Sequence, residues 1–178
     1  MKRIISLSLL MVLVLALGAC RSRTDRSEGS VILSVTDFDA LPVQVSVTGG
    51  PYRVGQIVLR NIAKDPTGSV SDLQSIELRA YEVRYTRRDT GTRVPPPMSQ
   101  SIFGLIPANG TTTLDNLPIL TADQLLNEPL VDLGRTGVDQ ETGSEIVVLN
   151  VTMRFFGRTL AGDDIVSDPA SFTIEVVP

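Results

Sequence analysis

Four arginines, Arg84, Arg87, Arg88 and Arg93, fall within ten residues around the stretch "RRDTGTR". Guanidinium forks at that density suit phosphate or carboxylate. They could grip a lipid head group or the acidic face of a partner protein. The bland reading is a solvated hairpin tip balanced by Asp89. Two groups of acids stand further on: Asp139, Glu141 and Glu145, then Asp163, Asp164 and Asp168. Each group could offer oxygens to Ca²⁺, but neither has the D-x-[DN]-x-[DN]-G spacing of an EF-hand loop. They read first as ordinary turn acids, and no resident metal or other cofactor is expected. Glycoside hydrolysis needs two carboxyls at a set separation across a cleft, and nothing in the spacing pairs them. The chain has no His and no Trp. Ser-His-Asp and Cys-His catalysis and His-ligated zinc are therefore excluded. No GxGxxG or P-loop pattern occurs. The expectation is a protein that is not an enzyme, with a hydrolase and a Ca-dependent binding module as lesser alternatives.

The one cysteine, Cys20, ends the stretch "VLALGAC". Before it come the cations Lys2 and Arg3, then Ile4 to Leu17 without a charge, then the small residues Gly18 and Ala19. A cationic start, an apolar run and a small-residue cleavage site make an export signal. A membrane span needs roughly 20 apolar residues, more than Ile4 to Leu17 provides. Leu17-Gly18-Ala19-Cys20 resembles the lipobox of bacterial lipoproteins. The resemblance covers the first 20 residues and implies a signal peptide over 1–19 cut between Ala19 and Cys20. It also implies that the Cys20 thiol carries long acyl chains such as palmitate. Each buried CH₂ contributes about 0.8 kcal/mol, so one chain holds weakly and two or more hold firmly. Arg21, rather than Asp, follows the cysteine, which by the same resemblance favours the outer membrane, on its periplasmic or surface face.

Removal of residues 1–19 leaves 14 basic against 20 acidic side chains, a balance of −6. Such a chain is a poor nucleic-acid binder. The remaining 159 residues are enough for one domain that buries close to 70% of its unfolded surface. With Cys20 acylated there is no disulfide, so stability rests on packing.

Residues 21–30, "RSRTDRSEGS", are polar and without apolar period, and read as a flexible tether. From Val31 to Pro178 the pattern is β. "PVQVSV" alternates, with Val43, Val45 and Val47 on one face. "GQIVLRNIA" follows. In "SIELRAYEVRYTR" the apolar phase moves from even (Ile76, Leu78, Ala80) to odd (Tyr81, Val83, Tyr85). This slip predicts a β-bulge between Ala80 and Tyr81. Pro95-Pro96-Pro97 cannot donate to a ladder and marks an edge or a crossing between sheets. "TTTLDNLPIL" predicts another strand. Thr121 and Gln124 have capping-box spacing, predicting one short helix near 121–128 that Pro129 stops, with Leu125 and Leu126 facing the core. "SEIVVLNVTMRFF" predicts a central strand and "SFTIEVV" its partner. About eight strands and one helix predict an all-β, antiparallel two-sheet sandwich, immunoglobulin-like in architecture, over 31–178. An up-and-down barrel is the alternative. The functional expectation is a lipid-anchored envelope module that binds a protein partner, with Arg84, Arg87, Arg88 and Arg93 as first candidates for the contact. A small-ligand or lipid carrier with an apolar cavity is the alternative.

Overall fold

The computed structural model describes residues 29–38 and 43–178. The expected signal peptide over 1–19 with its cleavage site at Ala19, the expected lipidation residue Cys20, and residues 21–28 of the expected tether lie outside them. The strands are β1 (Val31–Phe38), β2 (Val43–Ser46), β3 (Tyr52–Ala63), β4 (Ile76–Arg87), β5 (Met98–Ile106), β6 (Thr111–Leu120), β7 (Val147–Thr159), β8 (Asp164–Val166) and β9 (Ala170–Val177). Two short helices, α1 (Ala122–Leu125) and α2 (Leu130–Thr136), follow β6. The chain is all-β, in two sheets. One has the order β1-β3-β6; the other runs β2-β9-β7-β4-β5, with β8 also on β7. The β7–β9 pairing expected from sequence is present. The barrel alternative is not: the strands close no single sheet.

The core lies between the sheets. Along β7 every second residue from Val147 to Phe155 is buried, as alternation over a half-buried strand demands. Val31, Leu33, Ile57, Leu59 and Ile119 meet them from the smaller sheet. Burying one such side chain stabilises by roughly 1.5–3 kcal/mol. Leu130 and Leu133 of α2 are buried as well.

The phase slip in β4 has the predicted cause, one residue earlier in the register. Leu78 pairs Gly157 and Ala80 pairs Phe156, so Arg79 is the extra residue against β7. On the other side Leu78 pairs Gly104 and Ala80 pairs Ser101, so Ile102 and Phe103 together face Arg79. A Cβ at Gly157 would lie 2.7 Å from Ile76 Cγ2 and 2.8 Å from the Glu77 carbonyl oxygen. Only glycine lets the strands approach this closely beside the bulge.

Several expectations need correction. The β2–β9 pair is parallel, so the sandwich is not wholly antiparallel. Strands β5 and β8 were not expected from the pattern. A second helix follows Pro129, which starts it instead of ending helical structure; proline fits a first helical turn, where its missing N–H is not needed. Leu126 is exposed, because α1 is a single turn and only Leu125 reaches the core. Gly29 and Ser30, expected in the tether, belong to the fold: Gly29 packs on Ile165 and the Ser30 carbonyl accepts from the Lys64 amide.

Two tyrosines of β4 fasten the sheets to each other. Ile119 is skipped in the β3–β6 register, between the pairs Tyr52–Leu120 and Arg53–Pro118. Its carbonyl accepts a hydrogen bond from the buried Tyr85 hydroxyl. The Tyr81 hydroxyl donates to the Pro118 carbonyl at 2.8 Å. Replacing Tyr85 by Phe leaves the Ile119 oxygen buried and unserved. The expected cost is about 1–3 kcal/mol, read as a lower denaturant midpoint at unchanged m-value; an unchanged midpoint would show that the hydroxyl does not fasten the sheets.

Candidate functional site

The arginine cluster does not form one surface. β4 continues its odd inward phase through Tyr85 to Arg87, so that guanidinium points into the molecule, and its side chain is only 3% exposed. Its Nε donates to Asp89 Oδ1 at 2.6 Å and its Nη2 to Asp89 Oδ2 and Asp139 Oδ2, each at 2.9 Å. Its Nη1 donates to the Arg93 carbonyl at 3.2 Å. Arg87 is therefore removed from the candidate contact surface; its inward place in the strand period decides this. Arg84 and Arg88 are exposed on the outer face of the larger sheet, where Arg84 pairs Glu82 and Arg88 reaches Thr173 Oγ1. Arg93 turns to Glu128 at 2.6 Å.

The acids around Arg87 are fully engaged. Asp89 accepts from the Gly91 and Val148 amides at 3.0 and 2.9 Å. Asp139 accepts from Thr142 Oγ1 at 2.6 Å and from the Glu141 amide at 3.2 Å. Glu141 in turn accepts from the Thr92 and Arg93 amides at 2.8 and 3.0 Å. The network ties the β4–β5 loop to the loop before β7, at the end of the sandwich where β4 stops. Burial alone would raise the Asp89 and Asp139 carboxyls. The hydrogen bonds from Arg87 and the neighbouring amides and hydroxyl, with the Arg87 charge, outweigh it and hold both below the usual range. The Thr92 hydroxyl and the two amides hold Glu141 down likewise. Acids kept ionised in this way are poor proton donors at neutral pH.

Asp163, Asp164 and Asp168 lie toward the opposite end of β7, away from the Arg87 network. Asp164 lies 3.4 Å from Arg158, and the Asp163 amide donates to Thr159 Oγ1. The Asp168 carbonyl accepts from the Ser167 hydroxyl. Glu145 is exposed beyond Asp139. Among the described residues no group of three or more His, Cys, Asp or Glu is placed to hold a metal ion.

A cleft that the sequence reading missed opens between β5 and β6. These consecutive strands belong to different sheets, each at a sheet's end. Thr112 Oγ1 still donates to the Leu105 carbonyl near the connecting turn, but above that point the strands diverge. The gap has a volume of about 460 Å³. Arg53, Gln100, Phe103, Asp115, Asn116 and Pro118 are among its walls, and Tyr81 forms its floor. Burial pushes the Tyr81 hydroxyl up to about 12, against the Arg53 charge, so it acts as a donor and not as an acid near neutral pH. Phe103, beside the bulge, is 91% exposed. The apolar run "IFGLI" was the signal available for β5; the splay between the strands had none.

No protein-family model matches the chain, and no curated protein sequence matches it. Among solved structures, a solution structure of a late embryogenesis abundant protein is similar at 18% identity and a TM-score of 0.45, over 97% of this chain and 84% of that one. An X-ray structure of a Northeast Structural Genomics Consortium target is similar at 10% identity and a TM-score of 0.38, over 82% of this chain and 87% of that one. At these values neither assigns a family or an activity.

The Arg87 network generates three predictions. Asp139→Asn removes one of two carboxylates from a buried guanidinium and is expected to cost about 3 kcal/mol, the low end for breaking a buried pair because Asp89 remains. A Cβ at Gly91 would lie 2.5 Å from Arg87 Cζ, which four hydrogen bonds pin in place; Gly91→Ala is expected to cost about 1–3 kcal/mol. Chemical denaturation measures both. The pH dependence follows from the depressed carboxyls. Their stabilisation is complete above their unfolded values, about 3.9 for Asp and 4.3 for Glu, and is lost as pH falls through the lower folded values. Midpoints should therefore hold between neutral pH and about 5 and drop below about 4, with a shallower drop in Asp139→Asn. An equal drop in both proteins would place the acid sensitivity elsewhere.

Proposed function

We propose that this chain is a lipid-anchored module of the bacterial envelope, held at the outer membrane by acyl chains on Cys20, and that it works by binding a protein partner without catalysis. The observation that carries the reading is a separation of ends. The chain enters the described fold at Gly29, beside Asp163 and Ile165. The loops fixed by Arg87, Asp89 and Asp139 stand at the opposite end, with Arg88 and Thr90 exposed there. A protein tethered at one end and stiffened at the other offers the stiff end to a neighbour. Arg84 and Arg88 remain on the outer face as candidate contacts, while Arg87 holds the loops behind them.

The non-catalytic part of the reading is supported by the pinned acids. The carboxylates that are buried together are spent on a guanidinium and cannot cycle protons near neutral pH. The cleft between β5 and β6 speaks for the second reading, a small-ligand carrier. Its walls mix Arg53 and Asp115 with Leu114 and Leu117, whereas a lipid carrier calls for an enclosed apolar cavity.

The test is affinity capture of the full chain from membranes beside a Cys20→Ser control. The wild type should sediment with membranes, carry an acylated N-terminal cysteine by mass spectrometry and bring down a reproducible envelope complex; the control should lose the membrane. An unmodified start in the mature protein would sink the anchoring, and capture of nothing but abundant lipoproteins would sink the partner.

A further inference from the structure

We infer that the end of the sandwich where the chain enters is a seat for the bilayer itself, with Val70, Leu73 and Leu160 resting in the lipid interface. The inference rests on the anchoring reading and adds an orientation to it. These three side chains are 54%, 58% and 50% exposed, although they belong to loops that are firmly built. The Leu160 and Ala161 amides donate to the Ser75 and Leu73 carbonyls at 3.0 and 2.9 Å. Ser71 caps the 3-10 turn Asp72–Gln74 by accepting from the Leu73 amide. The buried Asn61 donates to the Gln74 carbonyl at 2.8 Å. The result is a stiff tip that shows leucines to the outside. Leu105, 52% exposed, pairs Glu77 near the same end and extends the apolar surface along β5.

Chain length selects the occupant. Cys20 and Gly29 are nine residues apart, and a chain spans at most about 3.3–3.6 Å per residue, so the entry end stays within about 32 Å of the lipidated sulfur. β4 alone, with twelve residues, runs roughly 36–40 Å from this end to the other at about 3.3 Å per residue. Nine residues cannot carry the bilayer around to the far end, where Leu126 is also exposed, so the end with Val70, Leu73 and Leu160 is the one within reach of lipid. The charges at this end include Arg60, Lys64 and Arg158 against Asp65, Asp72, Glu77, Asp163 and Asp164, an acidic balance. The contact is therefore apolar and made with neutral head groups, not a basic patch on anionic lipid.

The chain has no tryptophan, so one introduced Trp reports without background. The full lipidated protein carrying Leu160→Trp, or separately Val70→Trp, is reconstituted into phosphatidylethanolamine–phosphatidylcholine vesicles containing brominated acyl chains. A matching protein carries Thr90→Trp at the far end. Quenching and a blue shift are expected at Leu160→Trp and Val70→Trp, and neither at Thr90→Trp. Adding Leu73→Asn to the Leu160→Trp protein should reduce the quenching while the acyl mass stays intact. An acylated protein whose entry-end reporters emit as in water, or whose Thr90→Trp is the one quenched, overturns the seat and leaves the anchor standing. A chain that carries no acyl group overturns both.

Discussion

A guanidinium almost wholly withdrawn from water must be answered by hydrogen-bond partners, and Arg87 is. Taking such a charge out of water costs several kcal/mol even after relaxation, and attraction to its partners offsets that cost only when geometry and hydrogen bonding are good. Here two carboxylates and a carbonyl meet the fork, and each carboxylate takes its remaining bonds from amides or a hydroxyl. Lysine could not replace it, because a compact ammonium lacks the planar fork that reaches Asp89 in two places at once. The Asp89 side chain fixes the Gly91 turn and the start of β7; Asp139 fixes the loop before it. With no disulfide available, this ion cluster takes the place of a covalent staple across loops that are about 50 residues apart in sequence.

The same economy of constraints governs the sheets. β4 is a middle strand of the larger sheet, and its bulge at Arg79 turns the following residues over, so that Tyr81 and Tyr85 face the smaller sheet. Without that turn, Tyr81, Val83, Tyr85 and Arg87 would all point outward. The skipped residue on β6 leaves a carbonyl where the Tyr85 hydroxyl arrives. Two irregularities, one in each sheet, thus supply a donor and an acceptor to each other. The splay of β5 from β6 follows from the same placement: β5 keeps to β4 and β6 to β3, and the hairpin between them opens once its turn is past.

Legibility in the sequence tracks the range of the interaction. Alternation in "SIELRAYEVRYTR" and "SFTIEVV" exposed the central strands and the bulge, because burial on one face writes itself into nearest neighbours. β5 is harder to read, since Ile102, Phe103 and Leu105 fill both faces of an end strand and only Phe103 and Leu105 stand out in solvent. α2 hides because "LVDLGRT" is short and contains a glycine. The arginine cluster was misread in part. Four cations near a turn look like a solvated tip, yet the odd phase of Tyr81, Val83 and Tyr85, carried two residues on, already puts Arg87 inside. What no local pattern shows is that Asp139 comes to meet it.

The ion network and the loops of Leu73 and Leu160 stand at opposite ends of the molecule, and each follows its own physical reason. Charged pairs gain strength where water is thinned out by packing around them, so an ion network suits loops that fold over one another, as at Asp89 and Asp139. Leucines left in water gain nothing there; each costs free energy that burial elsewhere would have recovered. A stiff loop that keeps Leu73 and Leu160 exposed has forgone that gain within the fold, and recovers it only by contact with something apolar outside. Acyl chains on Cys20, as proposed, would bring such a surface within reach of those leucines, and the ion-paired end would then face away from it.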